Sequence, residues 1–544
     1  MNGLMQDKPL LISSLLTHAE RYSGQVEVVS RRIEGDLHRY TWADVAQRSR
    51  QLAMALDELG LKPGSRVASI AWNGYRHLEL YYGVSGSERV LHTVNPRLHS
   101  SQIAWILQHA EDEVVFFDES FATLVESLKP LAPGVKHWVM LCEPDALDNT
   151  ADSAGLLSYE ALIAAQSGDY VWPEFDERTA SSMCYTSGTT GNPKAVLYSH
   201  RSTVLHTLVL TTPNGLGVGS QDALLPVVPM FHVNAWGVPY CAALAGAKLV
   251  LPGPALDGAS VYDLIEREGV TLALGVPTVW QTLLDHMERH QQTFSTLKKT
   301  SIGGSACSPS MQQCFEDQHN VEVIHCWGMT ETSPLGTTSK LMTQHQELSR
   351  EEQQQVRLKQ GRPVFGIDMR IVDDQGIEQP WNGKAAGHLQ VKGPWVISAY
   401  YKDEIDNRLD DGWFATGDVA TIDEHAYLQL TDRSKDVIKS GGEWLSTIDI
   451  ENIALSHNGV ALAAAIGVPH PKWDERPVVV VLKKPDAEVS AEEILALYPG
   501  RLAKWQSPDD VIFVDEMPLG ATGKVLKTQI RQQLQSYTLP GLGS

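Results

Sequence analysis

A surplus of positive charge is the first thing missing from this chain. Its 544 residues carry 44 Lys and Arg against 66 Asp and Glu, a formal net charge of −22. Without a basic face to release counterions from a polyanion, nucleic acid is a poor candidate partner. An anionic substrate must be captured by lysines and N–H groups placed locally, against the protein's mean field. Paired cysteine spacing is missing too. Cys142, Cys184, Cys241, Cys307, Cys314 and Cys326 are scattered, which speaks for free thiols in a reducing compartment, not a disulfide framework or a zinc site. No stretch reads as a membrane span. The longest apolar region, residues 223–253, is broken by Pro226, Pro229 and Pro239 and contains His232, so buried core strands account for it better. The N-terminal segment has an early acid and a short, interrupted apolar run, unlike a signal peptide. Internal repeats and low-complexity segments are absent. These absences predict a cytoplasmic globular enzyme, long enough for a large core and more than one domain.

What is present points to a bound phosphate chain. Residues 185–194 read YTSGTTGNPK: Thr186, Ser187, Thr189 and Thr190 supply hydroxyls, Gly188 and Gly191 flexibility, and Asn192 and Pro193 lead to Lys194. The loop follows an apolar run (180–185) and precedes a helix-like run (199–210) with Ser199 as N-cap. Glycines let backbone N–H groups approach an anion, hydroxyls add donors, and the lysine adds a point charge. A Walker A loop needs Gly directly before the Lys, where this chain has Pro193. Taken alone, the stretch also reads as a polar surface turn.

Beyond residue 181 strand-like and helix-like runs alternate. Residues 271–276, 299–302 and 321–325 read as strands, and 278–290 as a helix; Ser308-Pro309 opens another helix as N-cap and first residue. This rhythm predicts an α/β fold: a mostly parallel sheet flanked by helices, with ligands outside the carboxyl ends of its strands. The loops 186–194, 303–306 and 326–331 all follow strands, so they are expected to meet at one edge. Residues 361–432 read as a β-rich subdomain. A small α+β unit follows, with a helix near 446–455, a strand at 478–482 and a capping box at Ser490 and Glu493. The expected division is a large domain 1–434 and a small, mobile domain 435–544, with the charged pentapeptide 432–436 at the boundary.

Five segments in order carry a resemblance: 185–194, Trp327-Gly-Met-Thr-Glu331, Gly412 to Asp418 (GWFATGD), Asp432-Arg433-Ser-Lys435-Asp436 and Gly520 to Lys524 (GATGK). Across nearly its whole length the chain resembles the adenylate-forming superfamily of acyl-CoA synthetases, peptide-synthetase adenylation domains and luciferases. Residues 439–444 (KSGGEW) and 467–477 (GVPHPKWDERP) look like medium-chain fatty acyl-CoA ligases and, equally, 3-methylmercaptopropionate–CoA ligases. The resemblance implies two half-reactions. A carboxylate attacks the α-phosphate of Mg·ATP, giving acyl-AMP and pyrophosphate. The thiol of coenzyme A then attacks the acyl carbon and expels AMP, after the small domain has turned about Lys435.

The resemblance also assigns residues. The loop Thr186–Lys194 holds the β- and γ-phosphates, and Thr186 and Glu331 share the magnesium. Lys524 bridges the carboxylate and the α-phosphate as charge develops. Asp418 accepts the ribose hydroxyls with Arg433 in support, a task suited to two carboxylate oxygens. Trp327 stacks on adenine or, on residue type alone, fills the core. Gly304, Ser305, Ala306, His325, Cys326, Gly328, Met329, Thr330 and Lys435 complete the nucleotide set. His232 gates the acyl pocket near the α-phosphate; as a bare sequence feature it is a core histidine. Val233, Trp236, Gly237, Val276, Pro277, Gly303 and Gly304 line that pocket. Trp236 would shorten it, and no charge is on offer for a polar tail, so a short- to medium-chain acid is expected. Lys439, Ser440, Gly441, Gly442, Glu443 and Trp444 would face coenzyme A. The substrates are a small carboxylic acid, ATP and coenzyme A, and a homodimer is expected from the resemblance.

Some positions depart from the pattern. Ala195 stands where Gly is usual and would be strained at positive φ. His388 stands where an acid is common, Leu519-Gly520 replaces a more polar pair, and Glu88-Arg89 must be exposed or mutually compensated. An adenylating enzyme with another acceptor (a carrier protein, or oxidation of the adenylate) and a non-catalytic relative are the competing readings.

Overall fold

The computed structural model describes residues 1, 3–148, 155–186, 193–402, 411–433, 436–440, 443–485, 487–520, 524–535 and 537–540. Two large sheets form the bulk of the α/β molecule. A seven-stranded sheet runs Leu156–Ser158, His137–Met140, Asp112–Phe117, Arg66–Ile70, Val90–Thr93, Ala180–Tyr185, Ala195–Ser199. All its pairings are parallel except the last. A nine-stranded sheet has a parallel centre, Glu322–Gly328, Lys299–Ile302, Leu272–Gly275, Ala223–Pro226, Lys248–Leu251 and Glu27–Arg31, with antiparallel strands at both edges. The helix Tyr75–Gly86 is buried at every residue, as befits a helix enclosed on all sides. One apolar cluster joins Val67, Leu91 and Val114 of the first sheet to Val28, Leu224 and Leu249 of the second.

The β-rich segment is a four-stranded antiparallel sheet, Asp368–Val372, Ala386–Lys392, Phe414–Ile422 and Leu428–Arg433. The C-terminal unit has a five-stranded sheet built on the long pair Val460–His470 and Asp474–Lys483. Locally encoded ends fall where expected. Ser199, Ser308 and Ser446 cap the helices His200–Thr211, Pro309–Gln313 and Thr447–Leu455, and Ser490 with Glu493 forms a capping box.

Several expectations are corrected. The loop after Tyr185 does not lead from strand to helix: it joins two antiparallel strands, Tyr185 pairing with Ala195. Residues 223–253 are not all strand, since the helix Val238–Ala245 lies between two strands. The strand expected to end at His325 continues to Gly328 because Leu335–Thr338 pairs with it. Arg89 is not compensated by Glu88. It is buried and reaches Asp57 Oδ1 at 2.5 Å and the Leu61 carbonyl at 2.7 Å. Ala195 sits in a strand outside the positive-φ residues, so it carries no left-handed strain. His388 Nε2 meets Asp374 Oδ1 at 2.8 Å. Leu519 is exposed and bridges Val525.

Candidate adenylate-forming site

The three loops follow strands of two sheets, not of one edge. Thr186 N–H donates to the Lys194 carbonyl at 2.8 Å and closes the base of the first loop. Ser187, Gly188, Thr189, Thr190, Gly191 and Asn192 lie outside the described residues. Pro193 is buried, and Lys194 carries its ammonium 4.7 Å from the centre of the Tyr400 ring. The Tyr400 hydroxyl donates to Glu331 Oε1 at 2.7 Å. Burial pushes the Glu331 carboxyl up, and the Tyr400 hydroxyl works against that shift. Tyr198, whose hydroxyl donates to the Thr330 carbonyl at 2.8 Å, braces the same turn. Met329 N–H donates to Thr332 Oγ1 at 3.0 Å.

Trp327 is buried, and its Nε1 donates to Asp418 Oδ2 at 2.9 Å. Arg433 Nε meets the other oxygen, Oδ1, at 2.8 Å. Each oxygen keeps a second lone pair for a diol hydroxyl. His325 is committed elsewhere: Nε2 accepts from Cys307 N–H at 3.3 Å and Nδ1 lies 2.8 Å from the Leu358 carbonyl. Burial pushes its pKa down to about 4. Its ring therefore holds main chain in place. Cys326 Sγ lies 3.4 Å from Ser301 Oγ.

Lys524 reaches the turn at Gly303–Gly304 from the C-terminal side. Gly304 has φ +80°, and a Cβ there would lie 3.7 Å from Lys524 Cε and 3.3 Å from Val276 Cγ1. By surface area Lys524 is an exposed residue, while protein packed around the ammonium desolvates it. That desolvation, with the Arg433 guanidinium, pushes its pKa down to about 8, while Asp418 and Glu331 pull it up. His232 is pushed down to about 4 by burial and by Lys524. Ser305 is exposed beside this turn, Ala306 half-buried, and Pro277 opens the helix Pro277–His290.

The segment after His232 has an unusual backbone. Residues Val233, Asn234, Ala235, Trp236 and Gly237 all have positive φ, from +36° to +78°. Trp236 therefore follows His232 through a left-handed turn, not a right-handed helical one. Such backbone costs on the order of 1 kcal/mol or more per non-Gly residue and persists only where the surroundings over-determine it. Asn234 supplies part of that hold, its Nδ2 donating to Ser182 Oγ at 3.1 Å. The Trp236 indole covers Gly303, where a Cβ would lie 3.2 Å from Cη2.

At the C-terminal hairpin, Lys439 pairs with Trp444 and Ser440 with Glu443. Gly441, Gly442 and Lys435 lie outside the described residues. Ser440 is buried beside Arg476, whose Nη1 donates to its Oγ at 3.3 Å.

Lys524, the buried Glu331 carboxylate and the Asp418–Arg433 pair act on one another's charge, and Tyr400 and Lys194 lie beside Glu331. The AMP-binding enzyme description matches residues 15–401, and that of its C-terminal domain matches residues 449–524. The chain belongs to the AMP-binding enzyme family. Among its relatives in this family, the 3-methylmercaptopropionyl-CoA ligase of Ruegeria lacuscaerulensis is 50% identical over 98% of this chain and 99% of its own length. The medium-chain-fatty-acid–CoA ligase of Ectopseudomonas oleovorans is 49% identical over 98% and 97%. The crystal structure of an anthranilate CoA ligase in complex with anthranoyl-AMP superposes with a TM-score of 0.87, at 23% identity over 98% of this chain and 99% of that one. The AMP-binding fold is thus matched along both its large and small parts.

Tyr400, Tyr198 and Arg476 were not legible as site residues. Tyr400 stands in Ala-Tyr-Tyr-Lys after an irregular Gly-Pro-Trp stretch, far from every motif. Only the fold brings it to Glu331.

Proposed function

We propose that this AMP-binding enzyme is an acid–thiol ligase that converts a short- to medium-chain carboxylic acid, a fatty acid or 3-methylmercaptopropionate, to its coenzyme A thioester. The acid's carboxylate oxygen attacks the α-phosphorus of ATP and pyrophosphate departs. The coenzyme A sulfur then attacks the acyl carbon, its proton goes to water, and AMP leaves. The observation that carries the reading is Lys524 at the Gly303–Gly304 turn, its Cε 3.7 Å from where a Gly304 Cβ would lie, with Asp418 and Glu331 near enough to act on its charge. That is where charge develops when a carboxylate meets the α-phosphate. Lys194 offsets charge at the other end of the triphosphate. Asp418 with Arg433 holds the ribose, and the Trp327 face serves adenine. The hydrogen bond from Trp327 to Asp418 lets one contact support the other.

The residues present fit a magnesium ion. Among the described residues no group of three or more His, Cys, Asp and Glu could hold a metal ion by itself. A lone buried carboxylate with a hydroxyl suits Mg²⁺, which keeps waters and takes phosphate oxygens. Glu331 and Thr186 would hold it, and when bound it neutralises triphosphate charge.

Placing Lys524 in the cleft corresponds to the first half-reaction. The hairpin 438–445, buried here at Ser440, would face coenzyme A after the unit beyond Lys435 turns. The names of the relatives in Ruegeria and Ectopseudomonas support free coenzyme A as acceptor. The Trp236 indole over Gly303 supports a shortened pocket. A homodimer in the cytoplasm belongs to the same proposal; the six free cysteines support a reducing compartment. Among the described residues no helix is long and apolar enough to cross a membrane.

The test incubates the protein with Mg·ATP and C3 to C12 acids, 3-methylmercaptopropionate included, with and without coenzyme A. Pyrophosphate with an acid alone, and AMP plus thioester with coenzyme A, are expected. Pyrophosphate without thioester defeats the choice of acceptor. No pyrophosphate with any acid defeats the enzyme reading.

A further inference from the structure

One side chain touches both charged groups that flank the triphosphate. Tyr400 is 7% exposed. Its hydroxyl lies 2.7 Å from Glu331 Oε1, and its ring centre lies 4.7 Å from Lys194 Nζ. Glu331 follows the strand Glu322–Gly328 of the nine-stranded sheet, and Lys194 precedes Ala195–Ser199 of the seven-stranded sheet. The main chain around Tyr400 is stitched to the same two places. Ile397 N–H donates to the Glu331 carbonyl at 2.9 Å, and Tyr401 N–H donates to the Ala195 carbonyl at 2.9 Å. Lys402 Nζ then anchors on Glu111 Oε1 at 2.6 Å. The segment is thus a strap between the sheets, and Tyr400 is the residue of it that meets the chemistry.

We propose that Tyr400 is a positioning residue for adenylate formation: its hydroxyl orients the Glu331 carboxylate toward the divalent cation, and its ring seats the Lys194 ammonium toward the triphosphate. The proposal rests on the ATP-dependent reading of the site. The physical grounds are separate for the two ends. An O–H donor on one carboxylate oxygen fixes the carboxylate plane and leaves the other oxygen to point elsewhere. Partners of this kind behind a metal ligand typically alter metal affinity or activity by about 10- to 100-fold when removed. The aromatic face attracts an ammonium without neutralising it, so the ring can seat Lys194 without cancelling its charge.

Two variants separate the ends. Tyr400→Phe keeps the ring and removes the donor; Tyr400→Leu removes both. Mn²⁺ serves as a paramagnetic probe, with its binding to the protein–ATP complex followed by electron paramagnetic resonance. Tyr400→Phe is expected to weaken Mn²⁺ binding about tenfold. It should raise the Mg²⁺ concentration for half-maximal pyrophosphate release by a similar factor, leaving KM for the acid and thioester formation from supplied acyl-AMP unchanged. Tyr400→Leu should add a severalfold rise in KM for ATP. Unchanged Mn²⁺ binding in Tyr400→Phe overturns the proposal. So does equal loss of both half-reactions accompanied by a lowered Tm, which marks a merely structural side chain. If wild-type protein releases no pyrophosphate with any acid, the ligase reading fails on its own. The Mn²⁺ comparison of wild type with Tyr400→Phe still decides the role of Tyr400, because it uses ATP and no acid.

Discussion

Trp327 and Asp418 are 91 positions apart and share a hydrogen bond of 2.9 Å from Nε1 to Oδ2. The bond ties the end of a central strand of the large sheet to the antiparallel subdomain, and both residues are buried. Trp327→Phe keeps an aromatic face and removes the donor. Leaving a buried acceptor one partner short costs about 1–3 kcal/mol, so the urea midpoint should fall with little change in slope. KM for ATP should rise severalfold, read by ATP–pyrophosphate exchange. A variant that loses stability but keeps KM for ATP would make the indole a core filler with no part in nucleotide binding.

Lys524 carries a pH dependence. Its pKa is pushed down to about 8 from an ordinary 10.5, first by desolvation and then by Arg433. The ammonium is the active form, so kcat/KM for ATP in the first half-reaction should fall as pH rises through about 8. Bound triphosphate restores negative charge beside the ammonium, so kcat should hold to higher pH. Stability runs the other way. The unfolded chain binds the extra proton between about 8 and 10.5, so this group's penalty on the fold is complete below that window and lifts across it. Lys524→Ala should nearly abolish pyrophosphate release and spare thioester formation from supplied acyl-AMP. Equal loss in both would count against the small domain turning between steps.

Local chemistry was readable where one or two residues decide a structure. Ser199, Ser446 and Ser490 cap helices because a side-chain oxygen can reach the free N–H groups a turn ahead. Pro309 opens a helix because its missing N–H costs nothing there. The parallel centre of the nine-stranded sheet followed from alternating runs, and the family from the order of its motifs. What escaped was settled by distant pairing. Nothing within 185–195 says that Tyr185 faces Ala195 in a hairpin. Arg89 finds Asp57 through the approach of two helical segments. The left-handed turn at 233–237 runs through Val, Asn, Ala and Trp, of which only Asn readily accepts it, so contacts outside the turn must impose it.

Arg89 is the test of a stability role without a catalytic one. Its guanidinium is 2% exposed and reaches the Leu61 and Ser87 carbonyls as well as Asp57, which is half in solvent. Arg89→Ala removes the packing of a long stem and strands buried carbonyls. A loss of about 2–4 kcal/mol is expected. Activity per folded molecule should stay unchanged in the pyrophosphate assay below the unfolding transition. A changed KM for any substrate would connect this corner to the cleft.

Lys527 holds a junction that must yield if the small domain turns. Its Nζ lies 2.7 Å from Glu451 Oε1 and 3.8 Å from Asp432 Oδ2, and Thr447 donates its hydroxyl to the same Asp432 oxygen. Burial pulls this ammonium's pKa down, but Glu451 and Asp432 outweigh it and the net shift is upward. The upward shift keeps Lys527 charged through the neutral range, while burial pushes the Asp432 and Glu451 carboxyls up. Asp432 precedes the proposed pivot at Lys435, whereas Thr447, Glu451 and Lys527 follow it. Turning about Lys435 therefore separates Asp432 from Lys527 but leaves Lys527 with Glu451, so the cation never loses every partner. Lys527→Met strands two buried carboxylates and should cost about 3–5 kcal/mol. Asp432→Asn removes only the link that crosses the pivot. In single-turnover assays it should slow pyrophosphate release severalfold and leave thioester formation from supplied acyl-AMP equal or faster, because the arrangement that places Lys524 in the cleft loses an anchor. Equal slowing of the two half-reactions would mean that Asp432 moves with the small domain, and the pivot would then have to lie before it.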